Sequence, residues 1–257
     1  MSENEKRQEP SYKRKIRSIG IVVEVVLLAA TIWYGSNAFR YMVPSFSIAL
    51  ILGVIAILVS LIAMIRSKSS SSMKTAYLLS VVLLALSIFV NSLAIPFSST
   101  AKKNYPKHLA YLTRERYVPQ FFPSRIPESA ENYRLDFCSE DFRSSSYVVL
   151  EFSCEPLFFD SFTKLAKKRS VLSKLSLEEA RAVDLDSKHK AEISAFTGVE
   201  IDENHLLQLD ICFPDDIDEH SHATVYIMRC SYKVTHMTTE VILLDEEQNW
   251  VCFSSII

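Results

Sequence analysis

The chain has 257 residues, of which 49% are hydrophobic and 23% charged, with a net charge of −2. That near-neutrality hides a segregation: residues 1–99 carry ten Lys and Arg against four Asp and Glu, a net of +6, and residues 100–257 carry a net of −8. From Glu200 onward twelve acids face only Arg229 and Lys233, which argues against nucleic acid as a partner there, since phosphate recognition needs a basic footprint.

Six basic residues, Lys6 to Arg17, open the chain and form a cytoplasmic N-terminus over 1–17. Three apolar runs follow, at 18–39, 43–65 and 75–97, each long enough to cross a bilayer, which takes about 20 helical residues. The first is too long in its apolar core for a cleaved signal peptide, and two more spans follow at once, so it reads as a retained helix. Lys and Arg cluster before the first run and between the second and third (Arg66, Lys68, Lys74), while the intervening connection holds only Arg40. The positive-inside rule then places the N-terminus and the second loop in the cytoplasm and the C-terminal domain outside, as a multi-pass plasma-membrane protein.

Glu24 is the one carboxylate within these runs. It lies roughly 10 Å along the helix from Arg17; Ser60 and Ser80 lie roughly 9 Å from Arg66 and Lys74, which puts all three in one layer. A carboxyl facing the bundle interior can hydrogen-bond to such hydroxyls, and helix–helix packing is the reading preferred over a proton or ion pathway, because no Lys, Arg or His lies within a span as counter-ion. In the second span Ser45, Ala49 and Gly53 recur every four residues, a small-residue seam that lets helices approach, within the chain or in a homo-oligomer.

Composition changes after Pro96. Residues 98–120 read as a partly helical neck and 121–257 as an α+β domain with a mainly antiparallel sheet. Its strand candidates are 132–138, 146–153, 206–213, 223–231, 238–244 and 250–256, the last two flanking a DEEQN hairpin. One helix starts at Pro156, with Phe158, Phe159, Phe162 and Leu165 as its apolar stripe and Lys167, Lys168 and Arg169 at its C-terminal end. Another starts after Ser176, where Ser176 and Glu179 form a capping box.

The stretch FPSRIPESAENYRLDF, Phe122 to Phe137, resembles the opening of the domains in a family of bacterial membrane-anchored extracytoplasmic proteins that begin with F-P-x-x-I-P-x-x-A. Phe122, Pro123, Ile126, Pro127 and Ala130 occupy the matching positions, and the likeness spans about 105–257, ending in VILLDEEQNWVCF. It departs after the first strand, where SEDFRSSS replaces a glycine-containing loop. The resemblance implies location and fold class and carries no reaction or cofactor.

With glycine only at 20, 35, 53 and 198, the C-terminal domain has no P-loop, dinucleotide-binding loop or nucleophile elbow. HExxH and CxxC are also absent, which excludes the usual zinc-protease, zinc-ribbon and thioredoxin signatures. The densest polar cluster is DDIDEHSH. Asp215, Asp216, Asp218, Glu219, His220 and His222 could hold a divalent metal, although a polar hairpin loop is the simpler reading. Five cysteines, all in this domain, permit one or two disulfides with at least one left over. The sequence thus points to an anchored domain that binds a ligand or protein partner; the alternative is a membrane-embedded transport or enzyme subunit using Glu24.

Overall fold

A computed structural model describes residues 3–66, 70–92, 95–115, 117–118, 120–138, 146–170, 172–181, 213–233 and 236–256. The chain divides into two compact units, 1–95 and 96–257.

The first unit is three helices, α1 (Glu3–Tyr41), α2 (Pro44–Arg66) and α3 (Ser70–Ser92). Ser18–Tyr41, Pro44–Ile62 and Ser71–Val90 within them are long and apolar enough to cross a membrane. Helix α1 takes in the basic N-terminal residues without a break. Helix α3 stops short of the expected end at 97, because Phe97 instead begins a strand, β1 (Phe97–Ser99).

Small residues set how closely these helices approach. On α2, Ser45, Ala49, Gly53, Ala56 and Ser60 are all buried, one or two per turn along a single stripe. A Cβ built at Gly53 would lie 2.5 Å from Thr31 Oγ1, and one at Gly20 would lie 2.1 Å from the Tyr77 hydroxyl oxygen. Glycine at 53 therefore admits α1 against α2, and glycine at 20 admits the phenol ring of α3 against α1. Two polar side chains here turn to backbone carbonyls: the Thr31 hydroxyl donates to Leu27 O (2.7 Å) and the Ser87 hydroxyl to Leu83 O (2.9 Å). Outward, the same helices present Val22, Ile32, Leu78 and Phe89 to their surroundings, each more than half exposed.

The second unit is a seven-stranded antiparallel sheet in the order β1-β2-β3-β7-β6-β5-β4. Its further strands are β2 (Glu131–Cys138), β3 (Tyr147–Ser153), β4 (Leu172–Ser176), β5 (Thr224–Lys233), β6 (His236–Asp245) and β7 (Trp250–Ile256). Helix α4 (Tyr105–Arg114) lies in the expected neck, α5 (Pro156–Arg169) starts at its proline, and α6 (Leu177–Arg181) starts directly after Ser176. The expected strand 206–213 lies outside the described residues apart from Phe213, and so do residues 182–205.

Alternation splits the strands between two cores. On one face Phe137, Phe152 and Phe253 are buried against Tyr111, Tyr117, Phe122 and Phe162 through ring contacts of 5.4 to 6.2 Å between centroids. The stripe of α5 is turned slightly from expectation: Phe159 and Ala166 are buried, while Phe158 is 39% exposed. The other face is aliphatic, with Val149, Leu175, Leu177, Val225, Ile227, Val241, Leu243 and Cys252 in one cluster with Trp250.

The Phe-Pro lead-in is fastened at several points. The Tyr105 hydroxyl donates to Pro123 O, Lys102 Nζ to the carbonyls of Glu128 and Ala130, and Gln120 N–H to Glu240 Oε2. Beside it His108 is 2% exposed, tilted against Phe97 with ring centroids 5.2 Å apart, and neither ring nitrogen has a hydrogen-bond partner among the described residues.

Burial, with Lys107 nearby, lowers the His108 pKa from 6.5 to about 4. The folded state thus favours neutral imidazole. This contribution, about 3 kcal/mol, is full above pH 6.5 and is lost as pH falls toward 4. The prediction is that His108→Phe, which keeps the ring contact, raises stability relative to wild type at pH 4.5 and changes it little at pH 8, read by pulse proteolysis of the full chain in detergent.

Candidate functional site

A cavity of about 560 Å³ opens on the aliphatic face of the sheet, within the second unit, and its lining includes Tyr133, Arg134, Glu151, Asp216, His220 and Trp250. Strand register explains the gathering. Arg134 on β2 pairs with Glu151 on β3, which pairs with Cys252 on β7. Ser153 pairs with Trp250, which pairs with Asp245 on β6. An irregularity between Glu131 and Arg134, with Asn132 at φ 52°, sets this register. Such a bulge re-aims the side chains that follow it.

Arg134 is the electrostatic centre. Its Nε lies 2.6 Å from Asp136 Oδ2; Nη1 lies 3.7 Å from Glu151 Oε1 and 3.6 Å from Asp216 Oδ2; Nη2 lies 3.8 Å from Asp215 Oδ2. One guanidinium thus serves four carboxyl groups. Glu151 is 3% exposed, and its Oε2 has no hydrogen-bond partner among the described residues; neither does Asp216 Oδ1 or the Tyr133 hydroxyl. Burial is the largest cause that raises the Glu151 pKa, to about 7; Asp216 and Asp136 add to it, and Arg134 and a hydrogen bond from Trp250 oppose it.

In the same lining His220 stacks on Trp250, with centroids 3.8 Å apart and an interplanar angle of 12°. Its Nδ1 donates to Asp245 Oδ2 at 3.2 Å. A carboxylate only accepts, so this bond places an imidazole proton on Nδ1. Asp245 is fixed in turn, its Oδ1 accepting the backbone N–H groups of Glu247 (3.0 Å) and Gln248 (3.3 Å) in the DEEQN turn. The site can therefore offer a carboxyl poised between its two forms, an oriented imidazole and several acceptors at one cavity.

The DDIDEHSH residues divide among different tasks. Asp215 and Asp216 turn to Arg134, His220 turns to Trp250 and Asp245, and His222 is exposed. Asp218 and Glu219 belong to the 3₁₀ turn Ile217–His220, where Glu219 O accepts a hydrogen bond from Gln248 Nε2. Among the described residues no group of three or more His, Cys, Asp or Glu is arranged to hold a metal ion. Cys154 is a free, buried thiol, and Cys138 stands opposite Tyr147 in the β2–β3 pairing.

In the first unit, Glu24 Oε1 and Ser60 Oγ are buried without a hydrogen-bond partner among the described residues, whereas the Ser80 hydroxyl donates to Ala56 O (3.1 Å) and Ala76 O (3.0 Å). Ser80 thus ties α3 to α2 through the backbone. Sequence reasoning misses Arg134, Glu151, Trp250 and Asp245. The available signal is Glu151 itself, a lone acid in YVVLEFS flanked by apolar residues as Glu24 is.

No family model, curated protein or solved structure matches the chain.

The raised Glu151 pKa has a definite sign. The folded state favours the protonated acid, so its contribution, about 3 kcal/mol, is present below pH 4.5 and lost as pH rises through 7. This opposes the His108 contribution between pH 4.5 and 6.5, and each is visible only against its own variant. Glu151→Gln mimics the neutral acid: chemical denaturation should show it more stable than wild type at pH 8 and nearly equal at pH 4.5.

Proposed function

We propose that this protein is a multi-pass bacterial plasma-membrane protein whose three N-terminal helices anchor an extracytoplasmic domain, 121–257, that binds a small polar ligand in the Arg134–Glu151 cavity. The observation that carries the binding reading is Glu151 Oε2, a buried carboxyl oxygen without a hydrogen-bond partner among the described residues, on a residue that lines the cavity. Proteins rarely leave such an atom unsatisfied, because its desolvation costs about 1–3 kcal/mol, and exceptions concentrate at functional sites. A volume of about 560 Å³ suits a small molecule, within the roughly 300–1,000 Å³ typical of ligand pockets.

The anchoring reading rests on outward apolar surface. No more than 33% of any of the three apolar windows is buried within the chain. The orientation rests on the Lys and Arg distribution: the basic cluster from Lys6 to Arg17 and Arg66, Lys68 and Lys74 mark cytoplasmic sides. The resemblance of the Phe122–Ala130 lead-in to membrane-anchored extracytoplasmic proteins points the same way. Lipid is then the immediate partner, and the Ser45, Ala49, Gly53 seam serves packing of the helices.

A second reading, a transport or enzyme subunit using Glu24, is favoured by one observation: Glu24 Oε1 is buried without a hydrogen-bond partner among the described residues. The two readings separate experimentally. Protease added to intact cells should remove a C-terminal epitope while sparing an N-terminal one, and Glu24→Gln should leave ligand binding and folding unchanged. Protection of the C-terminal epitope contradicts the orientation. Loss of a transmembrane flux or activity in Glu24→Gln with the fold intact favours the second reading.

A further inference from the structure

We infer that the Arg134–Glu151 cavity recognises an organic ammonium group, held between the carboxyl groups of Glu151 and Asp216. This rests on the cavity being a ligand site and names the chemistry of what enters it.

The lining is rich in acceptors and poor in available cations. Arg134 is the only Lys or Arg in it among the described residues, and four carboxyl groups already surround that guanidinium within 3.8 Å. An anionic ligand would meet those carboxyl groups and find no uncommitted positive charge. Glu151 and Asp216 flank the same Nη1 with one oxygen each, and each keeps its other oxygen buried without a partner among the described residues. An ammonium group has three donors and no acceptor, and that set of acceptors matches it. Charge-assisted bonds to carboxylates are the strong kind, and a partly enclosed site screens them less than open water does. A metal ion is a poorer occupant, since no group of three suitable side chains converges among the described residues.

The bound cation also couples to a proton. Charged groups around Glu151 are Arg134 and Asp136 on β2, Asp215 and Asp216 in the loop, and Glu219 and His220 in the 3₁₀ turn. With the Glu151 pKa at about 7, an ammonium beside it stabilises the carboxylate and expels the proton at lower pH. If binding requires the ionised form, affinity rises about ten-fold from pH 6 to pH 8, following the ionised fraction of the acid. An alkyl amine stays cationic throughout that range.

The test uses the full chain in detergent with Trp33→Phe, so that Trp250, stacked on His220, is the sole tryptophan reporter. The probes are 1,4-diaminobutane, its neutral counterpart 1,4-butanediol, succinate and calcium ion, titrated at pH 6 and pH 8. The expected result is saturable change with the diamine alone, about ten-fold tighter at pH 8. Asp216→Asn should weaken it at least ten-fold, and Glu151→Gln should abolish the pH dependence. Retention of that dependence in Glu151→Gln with its loss in His220→Asn overturns the proton coupling. If butanediol, succinate or calcium saturates the signal and the diamine does not, the ligand chemistry is wrong while the cavity stays a binding site. Should none of the four change Trp250 emission or protect the cavity from proteolysis, the inference fails together with the binding reading on which it rests.

Discussion

The outward faces of three long helices carry exposed Ile, Val, Leu and Phe side chains, and everything proposed for this protein depends on what solvates them. Val22 is 63% exposed, Ile32 62% and Leu78 65%, on segments whose only charged residues are Glu24, Arg40 and Lys74. At roughly 25 cal/mol for each Å² of apolar surface, holding such faces in water is costly. In hydrocarbon the same surface costs nothing, and backbone polar groups are satisfied within each helix. The interior of the unit inverts the usual arrangement accordingly: Ser45, Ser60, Ser80 and Ser87 are buried, together with Ala49, Gly53 and Ala56. Without a hydrophobic drive between helices in lipid, close approach and backbone-directed hydroxyls hold such a bundle.

The sheet unit obeys the opposite rule, apolar within and charged without, and among the described residues its buried carboxyl groups, Glu151, Glu240 and Asp245, break that rule. Glu151 stands in the middle of a strand whose neighbours, Leu150 and Phe152, are fully buried. A buried acid is tolerated by pairing, by hydrogen bonds or by holding its proton. Glu151 draws on the first and the last: Arg134 lies 3.7 Å away, and its pKa rises to about 7. The pairing is partial, because Arg134 divides its charge among Asp136, Asp215, Asp216 and Glu151. Structural cores are seldom built this way, whereas binding sites are, and perturbed titrating groups in clefts are functional-site candidates on physical grounds.

Legibility in the sequence followed the strength of the local pattern. The long apolar runs and the strands at 132–138, 146–153 and 250–256 are readable because hydrophobicity recurs at the period of the element. The end of α3 is not, because Phe97 is as apolar as the helix before it and only pairing with Phe137 reveals it as strand. Strand β4, LSKLS, is short and polar, and its pairing with β5 is non-local. The site was legible only in pieces. DDIDEHSH reads as one cluster along the chain, but ion pairing with Arg134 and stacking on Trp250 draw its members to separate partners that lie far away in sequence. The sequence reading singles out Glu24 as an acid in an apolar run and passes over Glu151 in VVLEF, where the run is shorter and alternation makes an exposed position seem the natural one.

Trp33 offers the most direct measurement of the central claim. It is one of two tryptophans, lies inside the first apolar segment and is 45% exposed, while Trp250 is 2% exposed. The full chain is reconstituted in bilayers whose acyl chains carry bromine, with a Trp33→Phe control. The account predicts that bromolipid quenches Trp33 emission strongly, that iodide in the aqueous phase does not, and that the control loses the response. Efficient quenching by iodide with none from bromolipid would place this face in water and contradict it.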